Sequence, residues 1–344
     1  MPKKRKRTST GASVQHLDTD HTSSSPSKHL NLSAYHPDLD LASFPASSQS
    51  LYRSLLPHSL VHPSAFPPKL LKYWRHRHSL FSLYSSGCLL DEQSWYSVTP
   101  ESVAFRIAKR CATDGVIVDL FTGAGGNAIQ FAMTCAKVIA VELDELKLNM
   151  AQWNAEVYGV KDRILFIHGD SLQLLDTLLT WRKQSPSISH QQDEQVWNGI
   201  KSSDLDAVHA VFLSPPWGGI DYAQPTTTDQ NPDTTSTSTS YSLTSIQPVD
   251  GATLFSRVCQ AFHTTNIAYY LPRNTSLQQL SHLALQLDRP CKLASSTTQN
   301  VNHNNNLKVE YQYVDHGRKL SSLTAYYGAL ATDWDDSTDD WRQT

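Results

Sequence analysis

The sequence is poor in cysteine, and its five cysteines, Cys88, Cys111, Cys135, Cys259 and Cys291, stand singly with no C-x-x-C pair. This excludes a disulfide framework and offers no zinc-ligand spacing, so reduced thiols and no metal are expected. Long apolar runs are missing too: none approaches the roughly 20 residues that cross a bilayer, and no apolar segment of a signal peptide precedes the body of the chain. A soluble, intracellular protein without a membrane partner follows as the expectation. Charge of one sign is also scarce, with a net −3 over 344 residues. Nothing draws the whole molecule to a polyanion, and any contact with nucleic acid has to be local. What is present, 39% hydrophobic residues at a mean hydropathy of −0.40, suits one substantial core carrying long polar tails.

The tails and insertions are marked by composition. Residues 1–66 are rich in Ser, Pro and His and begin with the cluster Pro2-Lys3-Lys4-Arg5-Lys6-Arg7, so they read as a disordered leader. The cluster suits nuclear import, or direct contact with nucleic acid. Between 67 and 110, Leu70, Leu71, Tyr73, Trp74, Leu80, Phe81 and Tyr84 recur near helical spacing among Lys72, Arg75 and Arg77. This predicts a small N-terminal helical extension with one buried and one basic face. Ser97 or Thr99 is positioned to cap a helix beginning at Pro100. Polar insertions are expected near 184–204, 224–247 and 297–306, and residues 332–344 form an acidic tail beyond a main domain of 111–331.

That domain opens with an apolar strand, Gly115 to Asp119, followed by Leu120-Phe121-Thr122-Gly123-Ala124-Gly125-Gly126-Asn127 and a helix. A second strand, Val138 to Val141, ends in Glu142, 23 positions after Asp119. The spacing is that of a nucleoside-binding βαβ unit, in which glycines admit the ligand and the acid accepts from both ribose hydroxyls. A third strand ends at His168-Gly169-Asp170, where Asp170 can accept from an adenine amine. The fourth, Val211-Phe212-Leu213, stops at Ser214-Pro215-Pro216-Trp217-Gly218-Gly219. Two prolines in series remove two backbone donors and leave a stiff turn able to hold a planar, amine-bearing base, although Trp217 could equally fill a core. A fifth strand, Ile267 to Leu271, ends in Pro272-Arg273-Asn274, where a guanidinium can clamp phosphate. A closing antiparallel hairpin, Lys308–Val314 with Leu323–Tyr327, completes an α/β, doubly wound, mostly parallel sheet. In such a sheet Asp119, Glu142, Asp170 and Ser214 converge on one crevice beyond the strands' carboxyl ends.

Together these motifs resemble the trimethylguanosine synthases, which are S-adenosylmethionine-dependent methyltransferases with a Rossmann-like sheet. The likeness runs through Lys72-Tyr73-Trp74, Leu80-Phe81-Ser82, Trp95 to Pro100, FTGAGGNAIQFA, NAEVYG, SPPWGGIDY, YYLPRN and LTAYYG, from about 70 to 330. It implies N2 dimethylation of the 7-methylguanosine cap of small nuclear and nucleolar RNAs, giving a 2,2,7-trimethylguanosine cap. It also implies contact with small ribonucleoprotein core or snoRNP proteins, a nuclear or nucleolar location and a monomeric chain. By the same resemblance, Trp217 stacks on the methylated guanine while Ser214 and Pro215 hold its amine. Lys72, Tyr222, Arg273 and Asn274 meet the cap phosphates. Phe81, Ser97, Thr99, Asp119, Gly123, Gly125, Asn127, Glu142 and Asp170 surround the methyl donor. The family often has Asp where Glu142 stands and Cys where Thr122 stands. A methyltransferase acting on adenine or cytosine amines of uncapped nucleic acid, or a cap-binding scaffold without turnover, is the competing expectation.

Overall fold

The computed structural model describes residues 36–184, 194–218, 240–287, 307–314 and 317–332. The elements, in chain order, begin with α1 Ala46–Leu55, α2 Leu71–Arg75, α3 Arg77–Leu80, α4 Ser94–Ser97 and α5 Glu101–Arg110. The alternating body follows as β1 Thr113–Asp119, α6 Gly126–Thr134, β2 Cys135–Glu142, α7 Glu145–Val157, β3 Ile164–His168 and α8 Ser171–Gln184. A small hairpin, β4 Gln195–Trp197 and β5 Ile200–Lys201, leads into α9 Ser202–Asp206 and β6 Val208–Leu213. The chain closes with α10 Gly251–Phe262, β7 Ile267–Pro272, α11 Leu277–Leu287, β8 Leu307–Val314 and β9 Lys319–Tyr327.

Seven strands form one sheet in the order β3-β2-β1-β6-β7-β9-β8, with the first five parallel and β9 and β8 antiparallel. The strands are apolar on both sides because helices cover both faces. In β6, Ala210 and Phe212 enter one core with α5, α6 and the N-terminal extension, while Val211 and Leu213 enter the other with α8, α10 and α11. Strand order reverses between β1 and β6, so a crevice opens there beyond the strand ends. The doubly wound sheet and its closing hairpin agree with the sequence reading.

One boundary needs correction. The leader was expected to be disordered to residue 66, yet 36–66 is folded: α1 packs Tyr52 against Trp153 at 4.9 Å between ring centroids, and Phe44 meets the same indole at 5.0 Å. Tyr52, Leu55, Val61 and Phe66 are buried, and Leu60 donates its N–H to Leu90. Apolar residues spaced through a polar segment thus complete a core that the parallel sheet supplies. Residues 1–35, with the basic cluster, and 333–344 lie outside the described residues, as do 185–193 of the first polar insertion, most of the second and all of the third. The described end of the first insertion is β4, β5 and α9, and that of the second buries Tyr241, Leu243 and Ile246.

Candidate active site

The crevice is a cleft of about 2650 Å³, several times the volume that one small ligand fills, so it has room for two molecules side by side. One wall is the turn after β1. Thr122 donates its N–H to Val141, Gly125 donates to Thr122, and Gly123 and Gly125 take φ of +55° and +92°. At Gly125 a side chain would also meet Ala151, its Cβ lying 3.0 Å from that residue's Cβ, so glycine lets the turn sit on α7. Asn154 on α7 locks the turn further. Fully buried, it donates to the Ala124 and Leu89 carbonyls at 2.9 and 3.0 Å and accepts from Leu89 N–H at 2.8 Å. The sequence signalled this only as a polar residue on the buried side of a helix.

Three carboxylates serve the turn. Glu142, at the end of β2, accepts from Gly123 N–H at 2.7 Å and Asp144 N–H at 3.0 Å. Each oxygen keeps a lone pair for a ribose hydroxyl. Asp170 accepts from Leu172 N–H at 2.8 Å at the start of α8 and lines the cleft. Asp119 is 1% exposed and accepts from Phe121 N–H through Oδ1, while Oδ2 is buried without a partner. Burial pushes its carboxyl up to about 7, with the Phe121 N–H opposing and the Glu142 charge adding to the rise. Asp119 itself is not on the cleft wall, so its unpartnered oxygen would reach a ligand's ammonium group only from beneath the glycine turn.

Ser97 and Thr99 reach the cleft from the N-terminal extension, but neither caps α5, whose first turn begins after Pro100 with no side-chain cap. Ser97 donates to Gln93 instead, and Thr99 accepts from Asn127 Nδ2 at 2.9 Å. Asn127 therefore ties the helix after the glycine turn to the extension. Phe81 departs from expectation. It is 1% exposed, its ring is 6.1 Å from that of Tyr158, and it is not part of the cleft wall. Its neighbours Leu80 and Ser82 line the cleft, and Glu101 fixes that loop by accepting from Ser82 Oγ at 2.8 Å and Tyr158 Oη at 2.7 Å.

The other wall is built from β6 and β7. Ser214 donates its hydroxyl to the Phe121 carbonyl at 3.3 Å, which leaves its lone pairs for an incoming N–H. Trp217 is half-buried, seated between both cores, and lines the cleft with its ring 6.1 Å from Tyr270 in an edge-on arrangement. Trp217 thus packs against both cores and still presents part of its indole to the cleft. Tyr270, inside an apolar strand, gave no sign in sequence of its place beside that ring. Arg273 and Lys72 stand on the rim, with Arg273 donating to the Leu320 carbonyl at 3.1 Å. Asn274 lies beside Arg273 but not on the cleft wall, and Tyr222 lies outside the described residues.

Charge divides the cleft. Glu142, Asp144 and Asp170 come from the ends of β2 and β3, whereas Arg273 and Lys319 come from β7 and β9 and Lys72 from α2. Two further charged groups of the wall are ion-paired. Lys147 meets Asp144 at 2.8 Å and Asp91 at 3.5 Å, and Glu310 is held by Arg106 at 3.1 Å and Arg110 at 3.2 Å. Among the described residues no group of three or more His, Cys, Asp or Glu is disposed to hold a metal ion, and no helix is long and apolar enough to cross a membrane.

A family model described as RNA cap guanine-N2 methyltransferase matches residues 114–330. The trimethylguanosine synthase of Schizosaccharomyces pombe is 37% identical over 219 residues, which cover 62% of this chain and 75% of that protein. The trimethylguanosine synthase of Saccharomyces cerevisiae is 30% identical over 233 residues, 65% of this chain and 62% of that one. The family match takes in the glycine turn, all three carboxylates and the Ser-Pro-Pro-Trp turn, and begins after the N-terminal extension.

Proposed function

This chain belongs to the RNA cap guanine-N2 methyltransferase family, and we propose that it converts the 7-methylguanosine cap of small nuclear and nucleolar RNAs to 2,2,7-trimethylguanosine by two successive N2 methylations. The observation that carries this reading is the half-buried indole of Trp217, set on a proline-stiffened turn in the same cleft as Glu142 and Asp170. A 7-methylated guanine is cationic, and stacking a cation on an indole adds roughly 0.5–2 kcal/mol over a neutral base. The aromatic therefore selects caps that are already methylated.

S-adenosylmethionine supplies an electrophilic methyl group when bound. Glu142 would hold its ribose hydroxyls and Asp170 its adenine amine, Asp119 would meet its ammonium from beneath the glycine turn, and Ser97, Thr99 and Asn127 would close the far side of that pocket. Ser214 and Pro215 accept from the guanine amine and turn its nitrogen toward the donor. Lys72 and Arg273 would hold the phosphates. Methyl transfer of this kind needs in-line alignment and exclusion of water more than proton transfer. The methylated amine is acidic enough to lose its proton to water, so no residue is assigned as a base. The cluster Pro2 to Arg7 supports a nuclear site of action, where small ribonucleoprotein core or snoRNP proteins would present the capped RNA.

Purified full-length chain, labelled methyl donor and cap dinucleotides test the reading. Label is expected to enter 7-methylguanosine caps up to two methyls each, and unmethylated caps roughly tenfold less efficiently. Equal labelling of both, or labelling of uncapped RNA instead, would overturn it.

A further inference from the structure

Trp217 accounts for one base, yet the cleft continues past it along β8. There Tyr311 and Tyr313 are 44% and 55% exposed, and among the described residues no other Phe, Tyr or Trp is as open to solvent. Both line the cleft that holds Trp217 and Arg273. They stand two positions apart on β8, on either side of a register shift in its pairing with β9 between Gln312 and Tyr313, and both remain exposed. Gln312 between them is buried and donates to Thr324 Oγ1 at 3.3 Å, which fixes β8 with both phenols outward. An exposed aromatic pair on an outer strand gives up hydrophobic burial, and the fold gains nothing from it in isolation. Lys319, paired with Val314 across the hairpin, and Arg273 place cations along the same stretch of wall. Glu310, the acid next to Tyr311, is neutralised by Arg106 and Arg110.

We propose that Tyr311 and Tyr313 form a stacking platform for the first transcribed nucleotides of the capped RNA, with Lys319 beside their phosphates. The inference rests on the cap reading above and extends it to the body of the substrate. Aromatic rings interleaved with cations are the means by which proteins hold single-stranded nucleic acid irrespective of sequence, since every base has a π-face. The platform is continuous with the Trp217 wall, so a base on Tyr311 or Tyr313 belongs to the strand whose cap is in place. The consequence is a preference for capped RNA over the cap alone, set without reading any base edge.

The test compares kcat/KM for a 7-methylguanosine cap dinucleotide and for a capped single-stranded oligonucleotide. Wild-type protein is expected to favour the oligonucleotide by about tenfold, the scale of one base stacked on an aromatic ring. Tyr311→Ala with Tyr313→Ala should abolish the preference and leave dinucleotide turnover unchanged, whereas Tyr311→Phe with Tyr313→Phe should retain it. No preference in the wild type, or one that survives both alanines, overturns the platform while dinucleotide turnover still upholds the cap reading. No turnover of either substrate fails the cap reading itself. Photo-crosslinking with 4-thiouridine next to the cap needs no variant: label in the peptide spanning 307–314 supports the platform, and label confined elsewhere overturns it.

Discussion

The two walls of the cleft are organised by different physics. On the donor side, the carboxylates of Glu142, Asp144 and Asp170 accept from backbone N–H groups, and the glycine turn is tied down by Thr122 and Asn154. The wall is set before any ligand arrives, and main-chain geometry does most of the setting. On the acceptor side, rings and cations project from strand ends: Trp217 and Tyr270 edge-on, Arg273 and Lys319 at the rim. A donor common to many reactions suits a fixed mould, while a charged aromatic base suits a stack whose strength depends on the base's own charge.

The largest effect expected from separating the walls is at Trp217. Trp217→Ala should lower kcat/KM for the methylated cap by about 100-fold or more, because the base loses both its stack and its alignment. Donor affinity, measured by titration with S-adenosylhomocysteine, should stay within about twofold, since an effect that changes only acceptor positioning leaves donor binding free energy alone. A parallel fall in donor affinity would mean that the walls are one unit, and the comparison would be broken.

The donor wall was more legible in sequence than the acceptor wall. The strand, glycine turn, helix and terminal acid follow one another within a short segment, and each has a local signature, so the sequence placed Gly123, Glu142 and Asp170 where the cleft has them, while Asp119 lies buried behind its wall. The strand stop at Ser214 was legible for the same reason, since two prolines admit few conformations. Features made by distant contacts were not. Tyr52 reads as a residue in a Ser-rich leader until Trp153 is placed against it. Thr99 reads as a helix cap until Asn127, 28 positions on, takes its hydroxyl. Phe81 sits in a motif that resembles a donor contact, yet the ring is in the core beside Tyr158. In each case the local pattern permitted two outcomes, and packing against a residue far along the chain chose between them.

A second, smaller effect sharpens the picture of the donor wall. The Asp119 carboxyl, ordinarily at 3.8, is pushed up to about 7 chiefly by burial. Between these values the folded protein holds a proton that the unfolded chain has released, so stability falls as pH rises through that window and levels off above it. Asp119→Asn, always neutral, should therefore have the higher Tm by a few degrees at about pH 8, with the gap closing toward about pH 4. Its donor affinity should fall by about tenfold, as a charge-assisted hydrogen bond is lost. In the wild type, donor affinity should rise with pH through about 7, as the carboxylate that meets the ammonium forms. A Tm gap that is the same at both pH values would show that Asp119 does not titrate in this window.

The smallest effect lies where the first polar insertion touches the donor wall. A Cβ at Gly169 would stand 2.6 Å from Cη2 of Trp197, the residue at the end of β4, and Gly169 immediately precedes Asp170. The residue before Asp170 is thus glycine because an indole from the insertion lies over it, not because the backbone there is left-handed. Gly169→Ala should push the ring or the Asp170 turn outward and weaken donor binding by about two- to threefold, with little change in the KM for the cap, since nothing on the acceptor wall moves. In a Trp197→Ala background the same substitution should have no effect on donor binding, because the obstacle is gone, and the double-mutant cycle isolates the contact. Additive losses would mean that Gly169 serves the backbone rather than the indole, and the insertion would then have no hold on the donor wall.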